Sequence, residues 1–198
     1  MNHDIKQRLE LKFAELYGLT LNPETNRWDS VANVNISNMG LHKFPIRFGK
    51  INGHFSCAHN KLVSLSGGPT EAYNYLCNGN MLTNLDGIAK IIKGSLWCSY
   101  NQLTSLEGMP DNVDLLDCAN NELTNLNGIA KTIKSNFYCE DNKLTSLNGL
   151  QSIIKGDFWC HYNKLTSLDV LEAVTGNIRY TDNEKDLSQD AEKLAGLF

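Results

Sequence analysis

Six cysteines, and one histidine in register with two acids, are the residues of this chain best able to do chemistry. Cys57, Cys77, Cys98, Cys118, Cys139 and Cys160 recur at intervals of 20, 21, 20, 21 and 21 residues. Close Cys-x-x-Cys pairs would gather thiolates around a metal ion, and none occurs. Cysteines of an exported chain would pair as disulfides. Thiols repeated once per coil stand in one file instead, which predicts six reduced, inward-pointing cysteines that act as small apolar side chains. His161 falls beside Glu140 and Asp141 in the periodic frame, an arrangement that invites acid–base chemistry. No nucleophile is poised there, because every Cys is expected to point inward. The chain also lacks a P-loop, a dinucleotide glycine motif and His-Glu-x-x-His. The expectation is a protein that is not an enzyme and uses no metal or cofactor.

The elements that hold these residues follow from what surrounds each Cys. Three residues on comes Asn60, Asn80, Asn101, Asn121, Asn142 or Asn163. Then come Leu62, Leu82, Leu103, Leu123, Leu144 and Leu165, and next Leu65, Leu85, Leu106, Leu126, Leu147 and Leu168. A fixed period of 20–21 residues means a solenoid of stacked coils. In one coil, Leu96 in, Trp97 out and Cys98 in is a short strand with period two. Asn101 ends the strand, where its amide satisfies backbone groups and stacks with its equivalents into a ladder. Leu103 and Leu106 turn back into the core, and Gly108 permits a bend into the return arm. Gly68-Pro69 and Met109-Pro110 mark arms of 20-residue coils that read as extended. Arms such as Gly87-Ile88-Ala89-Lys90 and Gly149-Leu150-Gln151-Ser152 mark 21-residue coils and suit one turn of 3₁₀ or α-helix.

The frame Leu/Phe-x-Cys-x-x-Asn-x-Leu-Thr-x-Leu resembles the leucine-rich repeat, with Cys at a position often held by Leu. The resemblance covers residues 34–183, and its short period is similar to bacterial and bacteriophage repeats. The wording Cys-x-x-Asn-x-Leu-Thr-Ser-Leu-x-Gly-x-Pro looks most like repeat proteins of tailed-phage genomes. The fold expected is a leucine-rich repeat solenoid. It has a parallel β-sheet on the concave face, an extended or short-helical convex side, and a helical cap at each end.

Three regions of one compact domain are expected: a cap over 1–33, about seven coils over 34–183, and a capping helix over 184–198. Ile5, Leu9, Phe13 and Leu16 share one helical face, and Asn22-Pro23-Glu24 turns a small hairpin that reaches Trp28. Val34 to Pro45 reads as a degenerate first coil, with Ile36 in the Cys column. In the last coil Tyr180 replaces Cys and Lys185 breaks the Leu column. Leu187, Ala191, Leu194, Ala195 and Phe198 then make an apolar helical stripe. Charge totals −4, a poor match for a sequence-blind nucleic-acid binder. The sequence has no spanning apolar run and opens without an apolar export signal, which leads to an expectation of a cytoplasmic protein with no membrane contact.

Function is expected on the strand face that looks away from the core. Trp97, Tyr100, Tyr138, Trp159 and Tyr162 should share it, with Asp117, Glu140, Asp141 and His161 around them. Trp and Tyr are frequent binding hot spots, and acids beside them favour a protein partner with a basic surface. The sequence thus reads as a non-catalytic protein-binding module, in its sharpest form a phage-encoded inhibitor of a host enzyme or defence system. The alternatives are a single-stranded nucleic-acid binder using stacking aromatics, or a self-associating structural protein.

Overall fold

A computed structural model describes residues 3–150, 154–169 and 174–195. Its main feature is a sheet of eight short parallel strands, one per coil. In chain order they are Val34–Asn35, Phe55–Ser56, Tyr75–Leu76, Leu96–Trp97, Leu116–Asp117, Phe137–Tyr138, Phe158–Trp159 and Ile178–Arg179. Neighbours in sequence are neighbours in the sheet, and the register holds the first residue of each strand opposite its counterpart. The molecule is a β-solenoid.

The core is the inward half of every coil. Phe55, Tyr75, Leu96, Leu116, Phe137 and Phe158 are fully buried, as are all six Cys and both Leu columns. No cysteine is bridged, and burial pushes every thiol well above its ordinary pKa. The Asn ladder ties each coil to the one before it. Asn121 accepts from the Leu103 N–H at 2.9 Å and donates to the Cys98 and Cys118 carbonyls at 3.1 and 3.0 Å. Asn80, Asn101, Asn142, Asn163 and Asn183 repeat that pattern. In the first coil Met39 stands at the Asn position and is exposed, and Asn60 accepts from both the Met39 and Leu41 amides.

The return arms of the 20-residue coils are extended as expected, and those of the 21-residue coils differ from the short-helical turn expected of them. They too are extended, and the arms pair with one another as a second parallel ladder. Phe48–Ile51, Glu71–Ala72 and Ile91–Ile92 form one run with the N-terminal hairpin, and Asn112–Val113 pairs with Thr132–Ile133. Pro69 and Ala89 occupy equivalent buried sites, so arms with and without Pro follow the same path. The extra residue of the longer coils lies elsewhere. Leu65, Leu85, Leu106 and Leu126 all precede their buried return-strand residues, Ala72, Ile92, Val113 and Ile133, by seven positions. The corner that follows has two residues in short coils, Tyr73-Asn74 or Asp114-Leu115. In long coils it has three, such as Lys93-Gly94-Ser95 and Lys134-Ser135-Asn136. Here Asn74 accepts from the Ser95 amide and Asn136 from the Asp157 amide, each at 2.8 Å. A Cβ on Gly94 or Gly156 would overlap those Asn oxygens.

A helix lies near each end of the chain. Helix α1, His3–Leu16, buries Ala14 and sets Phe13 edge-on to Phe48 at 6.3 Å. Of its predicted apolar face Phe13 packs against the core, and Ile5, Leu9 and Leu16 are exposed. The hairpin Thr20–Asn22 with Arg27–Ser30 follows, with Leu21 opposite Trp28. Helix α2, Ser188–Ala195, has buried Leu187 just before it and Ala191 within it, and Asp190 accepts from the Leu168 amide at 3.0 Å. Phe198, with the side chains of Leu194 and Ala195, lies outside the described residues, as do Gln151 and Ser152. No helix among the described residues is long and apolar enough to cross a membrane.

Candidate functional site

The sheet register fixes the outward row. Residue by residue, Trp97 stands beside Asp117, Asp117 beside Tyr138, Tyr138 beside Trp159, and Trp159 beside Arg179. Adjacent strands are about 4.8 Å apart, which is stacking distance for rings on neighbouring coils. Tyr138 and Trp159 use it, with ring centroids 4.8 Å apart. On the far side the Arg179 guanidinium sits 4.8 Å over the Trp159 ring, a cation–π pair. His161, two residues beyond Trp159 and outside the strand, meets Trp159 at 6.2 Å and Tyr162 at 5.1 Å. Tyr138, Trp159, His161 and Tyr162 thus form one continuous surface closed by Arg179.

Trp97 and Tyr100 form a second, separate pair of positions. Asp117 lies between Trp97 and Tyr138 in the register, and among the described residues no ring contact joins Trp97 or Tyr100 to the Trp159 cluster. The aromatic residues of this face thus fall in two groups with Asp117 between them.

Tyr100, Asp141 and Tyr162 belong to a column that does not continue the strands. It turns, with positive φ in every coil: Asn38, His59, Gly79, Tyr100, Asn120, Asp141, Tyr162 and Asp182 have φ between 51° and 65°. Gly, Asn and Asp tolerate this left-handed backbone, and a residue with a bulky side chain pays about 1–2 kcal/mol to adopt it. Tyr100 and Tyr162 adopt it with their side chains 63% and 52% exposed.

The acids of the face are partly withdrawn from water. Asp117 accepts from the Ser99 hydroxyl at 2.7 Å and from the Ala119 amide at 3.1 Å. Burial lifts its carboxyl above the usual range, and these two bonds pull it back in part. Burial also raises Glu140, and the negative charges of Asp117 and Asp141 add to this. Its Oε2 is buried without a partner. His161 is buried with an unpartnered Nδ1, and burial together with the Arg179 charge lowers its pKa, which favours neutral imidazole at neutral pH. The thiols nearest these groups are sealed in the core. Among the described residues no group of three His, Cys, Asp or Glu is placed to hold a metal ion.

All nine predicted residues lie along one side of the coils, but in different settings. Trp97, Asp117, Tyr138 and Trp159 are strand residues, Glu140 and His161 follow the cysteines, and Tyr100, Asp141 and Tyr162 occupy the left-handed turn. Arg179 and Ser99 join the site from outside the predicted set. The signal for Arg179 was its place in the outward row, one strand beyond Trp159. The Ser99 contact with Asp117 depends on a side chain reaching across coils, which periodicity does not reveal. Compared with known protein families and with curated proteins, the chain matches no family model and no curated protein.

Proposed function

We propose that this chain is a non-catalytic protein-binding module of the leucine-rich repeat kind, with the outward side of the long sheet as its concave recognition face and the terminal helices as caps. The observation that carries this reading is the pair Tyr100 and Tyr162: large aromatic side chains at left-handed backbone positions, exposed, where other coils carry Asn, Asp, Gly or His. Such placement costs the fold free energy, and strained positions of this kind collect where a surface is used. Exposed Trp97 and the Tyr138–Trp159–His161 surface extend the same face. Asp117, Glu140 and Asp141 give it an acidic centre that complements a basic protein partner.

The phage-like wording of the repeats supports a sharper version: a phage-encoded, cytoplasmic inhibitor that masks a basic groove of a host enzyme or defence protein. Affinity capture from bacterial host lysate with the wild-type chain and with a Trp97→Ala/Trp159→Ala variant tests the surface. The proposal expects a partner recovered by the wild type and lost from the variant. Equal recovery of the same partner by both would remove this face from consideration.

A further inference from the structure

The structure points to a second recognition surface, away from the aromatic row, at the N-terminal end. We infer that the groove between helix α1 and the first coil takes an acidic amphipathic helix of a partner protein. The groove has a volume of about 990 Å³. Its first wall is α1 from His3 to Phe13. At 1.5 Å rise per residue this gives a trough roughly 15 Å long, or about three turns of a docked helix. Its floor and second wall come from Trp28 and Phe44, with Leu21 at the rim.

Two features say what fits there. The first is apolar surface left uncovered. Leu9, Leu11 and Leu21 line the groove and are 55%, 52% and 43% exposed, and Leu9 belongs to the apolar face that the sequence pattern of α1 defines. An amphipathic helix buries such residues through anchors spaced one turn apart. The second is charge. Lys6, Arg27, Lys43 and Arg47 line the groove against one carboxylate, Glu10, which already pairs with Lys6 at 3.7 Å. Among the described residues no carboxylate lies within ion-pair distance of Arg27, Lys43 or Arg47. Among the described residues the half-buried Arg27 guanidinium donates to the Phe48 and Gly68 carbonyls alone, at 2.6 and 3.2 Å. On the return ladder three lysines are matched instead: Lys93 with Glu71, Lys131 with Asp111, and Lys134 with Asp114. An apolar trough with unneutralised cations on its walls complements leucines flanked by glutamates.

The test uses the whole chain, ¹⁵N-labelled, titrated with a synthetic three-turn peptide that carries Leu at helical i, i+3, i+4 and i+7 spacing and Glu elsewhere. A second peptide carries Lys in place of every Glu. The expected result is amide shifts confined to residues 3–28 and 43–47, and saturable binding of the acidic peptide alone. A Lys43→Glu/Arg47→Glu variant and a separate Leu9→Glu variant should each weaken binding about tenfold or more. All these positions are at the surface, so both variants should keep the wild-type circular dichroism and melting temperature. Equal binding of the two peptides, shifts elsewhere, insensitivity to both variants, or no binding up to about 1 mM overturns the inference. So does concentration-dependent self-association of the chain abolished by Leu9→Glu, which would make the groove a contact between copies. Charge-dependent binding to phosphatidylglycerol vesicles without peptide binding would make it a membrane surface and overturn it equally.

Discussion

The two sides of the same strands obey different rules. Inward, coil after coil repeats one set of side chains, a large apolar residue, Cys, Asn and two Leu, with the apolar ones at or near zero exposure. Outward, neighbouring coils carry Trp97, Asp117, Tyr138, Trp159 and Arg179, and no two of these adjacent positions are alike. The inward side is uniform because each residue there serves the coil before it as well as its own. Asn121 completes hydrogen bonds in two coils at once. The outward side has no such duty. At Tyr100 and Tyr162 it runs against the backbone's own preference. Uniform residues specify the stack, and individual ones are free to specify a partner.

The comparison breaks first at the Asn ladder. Asn121→Ala leaves the Leu103 amide without its partner, and a buried unsatisfied group costs about 1–3 kcal/mol. It also removes one of two ladder donors from the Cys98 and Cys118 carbonyls, which keep Asn101 and Asn142. Urea denaturation should show a loss of at least about 2 kcal/mol. A loss below about 1 kcal/mol would mean that the ladder decorates the stack rather than building it. Next is the thiol column. Cys118→Ser buries a hydroxyl among apolar neighbours and should cost about 2 kcal/mol. None of the six thiols should react with an aromatic disulfide reagent before global unfolding, since all are buried and hold their protons. Rapid native labelling of any one contradicts the inward column.

The pH dependence of stability separates the sides more finely. Asp117 and Glu140 have folded pKa values raised above their ordinary ones, chiefly by burial. At these two groups the folded state binds more protons than the unfolded chain between the two values, and their contribution to stability falls as pH rises through that window, which opens near pH ~4. Glu140→Gln should remove a falling contribution, so that its midpoint denaturant, relative to wild type, rises with pH across this window. A wild-type-minus-variant difference of opposite sign would show that the carboxylate is stabilised when charged. Smallest of all should be Trp97→Ala. This 41% exposed side chain has no ring partner among the described residues, so its loss should move stability by no more than about 0.5 kcal/mol while partner capture is abolished.

Much of this was legible in the sequence because a repeat reports its own packing. The Cys and Leu columns and the Asn ladder occur in consecutive copies, and only inward positions need to be that regular. Four features were not legible. The return arms pair as strands because their extended backbones lie side by side from coil to coil, a relation that one arm read alone as Gly-Ile-Ala-Lys does not display. The extra residue of the long coils sits at the corner, since Lys93-Gly94-Ser95 looks no different from loop sequence until the register is known. The spacing of Ile5, Leu9 and Leu16 shows which residues share a helical face, and nothing in it says whether anything meets that face. The left-handed column was hidden by Tyr100 and Tyr162, residue types that sequence rules do not assign to such a backbone.

The central claim is that the outward aromatics are held for recognition, at a cost to the fold. The unfolding free energy of Tyr100→Asn tests it most directly, because Asn accepts the left-handed backbone that Tyr resists. The account predicts that this variant is more stable than wild type by about 0.5–1 kcal/mol. A variant less stable by about 1 kcal/mol or more would show that the ring supports the coil, and would contradict the account.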